Sequence, residues 1–175
     1  MRQILDLLVG GDRRSIGKSD EVVQIVLRQP ANFDALFQGF YSPHPVVRMR
    51  TADAVEKITA EKPELLLPYH TPMLEMLDHC EQMEVQWHLA QIIPRLSLSP
   101  TEVFECYHKV EKYLASPSAI VNTFALQCLV DLAFQQNTLL IETKRHLEAG
   151  MTSQSKAVQS RCRKLIKEIE AYEKH

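Results

Sequence analysis

The residues best suited to chemistry in this sequence are seven histidines and four cysteines, and their spacing matches no catalytic or metal-binding pattern. No histidine recurs four positions after another, and no Cys-x-x-Cys is present. His79-Cys80 could converge on zinc together with His88, but the sequence supplies neither a fourth ligand nor a compact motif. We therefore predict surface or loop histidines and no bound metal.

Other catalytic signatures are also absent from the sequence. Its five glycines form no phosphate-binding loop, and no Gly-x-Ser-x-Gly elbow occurs. We expect no cofactor and favour a non-enzymatic protein, although the sequence leaves an enzymatic activity open.

Composition is typical of a globular intracellular protein. Of 175 residues, 45% are hydrophobic and 24% are charged, and the net charge of −2 gives no general attraction to nucleic acid or anionic lipid. The four cysteines are scattered, which predicts buried thiols. The N-terminus lacks the apolar run of a signal peptide, and no stretch is long enough to span a membrane. We expect a single domain in the cytoplasm.

The strongest signal is a pattern that occurs four times. Superposing Val47 on Val85, Val121 and Val158, at spacings of 38, 36 and 37 residues, aligns aliphatic residues eight and eleven positions later and eleven positions earlier. Offsets of 0, 8 and 11 lie within about one quadrant of a helix at roughly 100° per residue, so each copy is an amphipathic helix. The position after each valine is polar and is occupied by Arg48, Gln86, Asn122 and Gln159. The period predicts stacked helical hairpins, none of which buries its apolar face alone.

The first copy resembles a HEAT repeat. Its Pro45-x-Val47-Arg48-x-x-Thr51-Ala52-x-Ala54-Val55 is similar to the second helix of that repeat, while the later copies lose the arginine. The resemblance to HEAT and armadillo-like proteins covers roughly residues 31–173 and implies an all-α fold: a right-handed α-solenoid of HEAT-like hairpins with about ten helices. We expect an N-terminal cap followed by four repeats, with boundaries at 1–30, 31–61, 62–98, 99–136 and 137–175.

Local signals set the expected helix ends. A short helix over 2–9 and a second from Ser19 or Asp20 to Arg28 form the predicted cap. The hairpins pair 31–41 with 45–60, 63–79 with 84–96, 100–115 with 118–135, and 138–149 with 154–173. Ser99-Pro100-Thr101-Glu102 predicts a capping box. Gly150 is expected to be a C-terminal cap.

The family resemblance implies that second helices line a concave surface. Side chains two, six and nine positions after each repeated valine point away from the core stripe and form the candidate partner-binding row. The row consists of Met49, Asp53, Glu56, Trp87, Gln91, Pro94, Thr123, Gln127, Val130, Ser160, Lys164 and Lys167. Trp87, the only tryptophan, is either an interface anchor or part of the core.

Charge changes along the chain. Residues 51–115 carry five basic and eleven acidic side chains, and residues 140–175 carry eight basic and five acidic ones. The basic end is either a solvated cap or a site for an acidic partner, through side chains such as Lys156, Arg161, Lys164 and Lys167.

Two enzyme classes with HEAT-like folds are disfavoured. Alkylpurine DNA glycosylases have an aspartate one turn from a tryptophan, whereas Gln91 follows Trp87 here, and the middle of the row lacks cations for phosphate. HEAT-like hydroxylases use His-Glu dipeptides, and none is present. We favour a scaffold that binds a protein or peptide segment on its concave face. A nucleic-acid-binding or alkylation-repair-like DNA-binding protein of the same fold is the alternative.

Overall fold

The computed structural model describes residues 4–10 and 15–174, and this part of the chain is helical with no β-strand. The chain divides into two compact units, Met1–Thr71 and Pro72–His175, with the boundary inside one helix. Each unit is described by itself. The single domain and the repeat boundaries stay predictions.

The first unit contains a 3-10 turn and the first three α-helices. The turn is Ile4–Leu7, and the helices are α1 (Ser19–Arg28), α2 (Phe33–Phe37) and α3 (Pro45–Glu61). Further 3-10 segments, Pro30–Asn32 and Gln38–Tyr41, flank α2, and Pro63–Tyr69 follows α3. The predicted cap helix at 19–28 is confirmed. The predicted helix over 2–9 is a 3-10 turn where it is described, and residues 1–3 lie outside the described residues.

The second unit contains the remaining six α-helices of the described residues. Its α-helices are α4 (His70–His79, which begins before the boundary), α5 (Met83–Ile92), α6 (Pro100–Glu111), α7 (Ala119–Gln135), α8 (Leu140–Met151) and α9 (Lys156–Tyr172). The 3-10 turns Ile93–Arg95, Lys112–Ala115 and Asn137–Leu139 extend or precede these helices. Nine α-helices therefore occur in the described residues, against about ten expected.

The repeated columns form the core of both units. All four superposed valines are buried, as are Ile58, Leu96, Leu129 and Ile169. Cys106, Cys128 and Cys162 are buried too, so the prediction of buried thiols is confirmed for three of the four cysteines, and Cys80 is half-buried. The capping box is also confirmed, because the Glu102 N–H donates to Ser99 Oγ and the Ser99 N–H donates to Glu102 Oε2 at 2.7 Å.

In three of the four copies, the polar residue after the valine anchors the loop that precedes its helix. Arg48, Gln86 and Gln159 each donate a side-chain N–H to the backbone carbonyl six residues earlier, at 2.7–2.8 Å. Three of the four loops before the repeated valines contain a serine turn, in which the hydroxyl of Ser42, Ser116 or Ser153 accepts the N–H two residues later. These side-chain N–H groups therefore donate to loop carbonyls that would otherwise lose their hydrogen bonds on burial.

A buried arginine holds the N-terminal segment of the first unit. Arg50 on α3 is 2% exposed, and its guanidinium donates to the carbonyls of Leu8, Gly10 and Ser15. A planar guanidinium with five N–H donors can satisfy several acceptors at once, which a shorter or apolar side chain cannot do.

Gly150 is not the predicted helix cap. It lies inside α8, and the positive-φ glycines in the described residues are Gly10 and Gly17. A Cβ on Gly150 would lie 2.4 Å from Cys162 Sγ on α9, and a Cβ on Gly39 would lie 2.0 Å from Thr51 Oγ1 on α3. Both glycines stand eight positions before the repeated valine, so they are required for close approach of paired helices and not for a left-handed turn.

We expect Arg50→Met to destabilise the protein by about 2–4 kcal/mol, because buried carbonyls would lose their donor. Arg50→Lys should lose somewhat less, since an ammonium group can still donate to some of the three carbonyls, whereas methionine can donate to none. Urea denaturation measures both, with Arg28→Met, at an exposed position on α1, as the control. Equal stability of Arg50→Met and the control would contradict the anchoring role.

Gly150→Ala should cost about 1–3 kcal/mol, because the new methyl group would overlap Cys162 Sγ. In a Cys162→Ala background the same change should stabilise by about 0.5–1 kcal/mol, since alanine is a better helix former than glycine. A double-mutant cycle of unfolding free energies measures the reversal. Additive effects would show that contact with Cys162 does not determine the residue at position 150.

Candidate functional site

The members of the predicted row on α3 do not form a free surface. Met49 and Asp53 are buried, and Glu56 is half-buried. The reason is that α1 packs on α3. Asp53 accepts from Ser19 Oγ and lies 2.9 Å from Lys57 Nζ, which also binds Asp20 at 2.8 Å. Met49 and Asp53 are therefore interior residues that cannot contact a partner.

The second unit places the rest of the row at different depths. Val130 is buried, and Trp87, Gln91, Pro94, Thr123 and Gln127 are half-buried. The exposed members are all on α9: Ser160, Lys164 and Lys167. Thr123 donates its hydroxyl to the Ala119 carbonyl at 2.6 Å, so this group serves its own helix.

A groove across α5, α7 and α9 brings part of the row together. Its volume is about 400 Å³. The groove is lined by Gln91, Pro94, Arg95, Phe124, Gln127, Asp131, Gln135 and Arg161, and we call it the amide groove. Gln91, Pro94 and Gln127 belong to the predicted row, whereas Trp87 is not among the lining residues.

Pro94 explains why the groove opens at this place. The helices α3, α7 and α9 all end fourteen positions after their repeated valine, whereas α5 ends only seven positions after Val85. Proline has no N–H for the helical hydrogen bond and its ring clashes with the preceding turn, so α5 gives way to a 3-10 turn. The early end of α5 leaves space beside the C-terminal half of α7, where Gln135 Nε2 donates to the Pro94 carbonyl at 3.1 Å.

A chain of hydrogen bonds runs along the groove. Arg161 Nη1 donates to Gln127 Oε1 at 2.7 Å, and Gln127 Nε2 donates to Asp131 Oδ1 at 3.0 Å. The Arg161 guanidinium carbon also lies 5.7 Å from the centre of the Phe124 ring, within the range of a cation–π contact. Gln91 Nε2 donates to the Trp87 carbonyl at 3.1 Å within α5. The groove thus presents amide, guanidinium and carboxylate groups in fixed orientations.

Asp131 is the electrostatically unusual member of the groove. Burial raises the pKa of its carboxyl above the ordinary value, and the charge of Glu168 adds to this effect. The hydrogen bond from Gln127 and the charges of Arg161 and Arg95 oppose the rise without cancelling it. The ionised form is therefore less well solvated in the folded protein than in the unfolded chain.

Five of the lining residues were missed by the predicted row: Arg95, Phe124, Asp131, Gln135 and Arg161. Most lining residues lie three, six, ten or fourteen positions after a repeated valine, whereas the row used two, six and nine. At 100° per residue the groove face is rotated by roughly 80° towards one edge of the core stripe. The repeat columns contained this signal, because Phe124 and Arg161 occupy the same column.

The histidine and cysteine group considered for zinc does not assemble. Among the described residues, the one group of three metal-binding side chains within 4.8 Å of one another is Glu111, Glu142 and His146. His79, Cys80 and His88 are not part of it.

No protein-family model matches this chain, and no curated protein matches it. Several solved structures are similar to this chain. An engineered protein studied by crystallography is 17% identical over 96% of this chain and 78% of its own, with a TM-score of 0.65. A designed armadillo repeat protein in complex with the peptide (KR)4 is 15% identical over 94% and 79%, also with a TM-score of 0.65.

The fold is an armadillo-like all-α solenoid. A second engineered protein agrees at a TM-score of 0.63 and 16% identity, covering 95% of this chain and 47% of the other. The expected all-α solenoid class and the resemblance to HEAT and armadillo-like proteins are confirmed at the level of fold. In the part of the chain that the structure describes, none of the helices combines the length and apolarity needed to cross a membrane.

We expect Asp131→Asn to stabilise the armadillo-like fold at neutral pH. The raised pKa of Asp131 means that the folded state binds the proton more tightly than the unfolded state, so its stability contribution is lost as pH rises through the folded pKa. Asparagine keeps an oxygen that accepts the hydrogen bond from Gln127. Because its amide does not ionise, its contribution to stability does not fall as the pH rises. Its advantage should therefore grow with pH, starting from an unfolded carboxyl pKa of about 3.9.

Urea denaturation of both proteins from about pH 4 to about pH 8 measures this difference across the ionisation range. Asp78→Asn is the matched control, because Asp78 is exposed and lies 2.8 Å from Lys109 Nζ, so its loss removes a favourable ion pair. An advantage of Asp131→Asn that stays constant with pH would contradict the proposed cost of ionisation.

Proposed function

We propose that this protein is a non-enzymatic module that binds an extended peptide segment in the amide groove. The observation that carries the proposal is the hydrogen-bonded chain from Arg161 through Gln127 to Asp131, in a groove of about 400 Å³ that Gln91 also lines. The expected site was centred on Trp87 and Gln91, and the proposal keeps Gln91 but moves the centre to Gln127.

The chemistry of the groove suits a peptide backbone. An extended segment exposes one N–H and one C=O per residue, and a glutamine side chain offers both a donor and an acceptor. Packed helices lie about 8–10 Å apart, which equals two or three residues of an extended chain at about 3.3 Å each. Glutamines on neighbouring second helices can thus contact one segment at regular intervals.

The basic side chains of α9 favour a ligand with acidic residues. Arg161 uses one N–H for Gln127 and has five donors in total, and Lys164 and Lys167 on the same helix are exposed. We therefore expect a segment with acidic side chains directed towards α9. The alternative that the sequence left open is that the exposed basic side chains of α9 form a solvated surface without a ligand.

The fold comparison adds general support. The designed armadillo repeat protein with the same fold is in complex with the peptide (KR)4. That peptide is basic. The likeness therefore supports a peptide as the ligand of this protein but gives no support for an acidic one. We place the protein inside the cell, in keeping with its four free cysteines.

The test is selection of linear peptides from a random phage-displayed library against the whole protein. We expect Asp- and Glu-rich sequences, and fluorescence polarisation should show that Gln127→Ala weakens the best of them about tenfold, from the loss of one to two kcal/mol of hydrogen bonding. Gln154→Ala is the matched control, since Gln154 is an exposed glutamine outside the groove.

Equal affinity of the selected peptides for the wild type and Gln127→Ala would remove the groove as the site. A salt titration with duplex DNA is measured in parallel. Tight DNA binding with a steep log–log salt dependence would instead favour the nucleic-acid alternative.

A further inference from the structure

A group of acidic and imidazole side chains bridges the first helices of two neighbouring hairpins, away from the amide groove. Glu111 is on α6, and Glu142 and His146 are on α8. One ligand atom from each lies within 4.8 Å of the other two. We propose that these three side chains bind a divalent transition-metal ion of the zinc class.

The carboxylate of Glu111 is held in place from two sides. His146 Nε2 lies 2.8 Å from Glu111 Oε1, and His108 Nδ1 lies 3.1 Å from Glu111 Oε2. Ligands of metal sites are commonly oriented by such outer hydrogen bonds. His108 is thus a positioning residue, which fixes one carboxylate oxygen and leaves the other directed at His146.

The two helices that carry the ligands are joined directly beneath them. Tyr107 precedes His108 on α6, and its hydroxyl forms a buried hydrogen bond of 2.9 Å with Thr143 Oγ1, the residue after Glu142 on α8. Thr143 also donates to the Leu139 carbonyl at 2.9 Å. This contact fixes the spacing of the helices, so the ligand atoms do not depend on a flexible loop for their positions.

The separations fit a metal ion with small adjustments. Zinc binds histidine nitrogen and carboxylate oxygen at about 2.0–2.2 Å, so ligand atoms around it lie about 3.2–3.5 Å apart. In the structure these ligand atoms lie within 4.8 Å of one another. Modest rotation of the two glutamate side chains, which are not fully buried, brings them to the shorter separation. Side-chain exposures of 24% for His146 and 29% for Glu111 leave access for the ion and for water in the remaining positions.

The donor set selects the class of ion. One imidazole and two carboxylates suit zinc and its neighbours, whereas calcium and magnesium prefer oxygen ligands alone. A metal ion binds imidazole through a ring nitrogen, so it would take the place of the hydrogen bond between His146 Nε2 and Glu111 Oε1. The two glutamates supply two negative charges, which balance a divalent cation.

Zinc binding is tested by isothermal titration of ZnCl2 into protein that has been stripped with EDTA and dialysed. We expect one equivalent to bind the wild type, and visible absorption bands from Co²⁺ in the same site. Glu142→Gln and His146→Ala should abolish this one-to-one binding. His108→Ala should keep the stoichiometry and weaken the affinity about tenfold, as for other outer partners.

Glu148→Gln is the matched control, because Glu148 is exposed on the same helix and is not in the cluster. Saturating zinc should also raise the melting temperature of the wild type and the control but not of Glu142→Gln. Circular dichroism establishes that each variant is folded. Absence of zinc binding to the wild type, or equal binding by Glu142→Gln, would overturn the proposal and leave the cluster as an ion-pair network only.

Discussion

The burial of one apolar stripe per hairpin is the constraint on which the rest of this structure depends. A hairpin of two short helices has too little interior to offset the entropy of ordering its chain, so it must share its core with its neighbours. The repeated valine in the first turn of α3, α5, α7 and α9 is buried in every copy, and α7 packs against α5, α6, α8 and α9 in one unit. Residues outside this apolar stripe either allow the helices to pack closely or lie on a surface that a partner could reach.

The sequence was sufficient for the features that follow from periodicity and capping. The second helices begin where the valine columns and Pro45 indicated, and the Ser99–Glu102 capping box is present. These signals are local, because each depends on residues within a few turns of one another. Gly150 was misassigned for the same reason, since its role depends on Cys162 in the partner helix and not on its own backbone.

The site was less predictable because it depends on contacts between helices distant in sequence. A helical wheel drawn for one repeat cannot show that α1 covers Asp53, or that Pro94 shortens α5 and exposes Gln127. Glu111 and His146 are 35 residues apart and resemble ordinary surface residues until their helices are placed side by side. The predicted row and the amide groove lie on the same helices of the second unit, α5, α7 and α9, but the angle of the groove face follows from how those helices pack.

Two charged side chains that are at least partly buried, Arg50 and Asp131, differ in how well the fold satisfies them. Arg50 is almost fully buried, yet its donors meet backbone carbonyls, so its charge holds the fold together. Asp131 has one glutamine partner and a raised pKa, so its environment does not favour its charged form. Stability alone does not explain such a residue, whereas the proposed peptide binding would, because a ligand N–H could supply a further hydrogen bond to its carboxylate. A rigid groove gains affinity by having its polar groups oriented in advance. The Tyr107–Thr143 bond helps to fix the spacing of the hairpins on which that orientation depends.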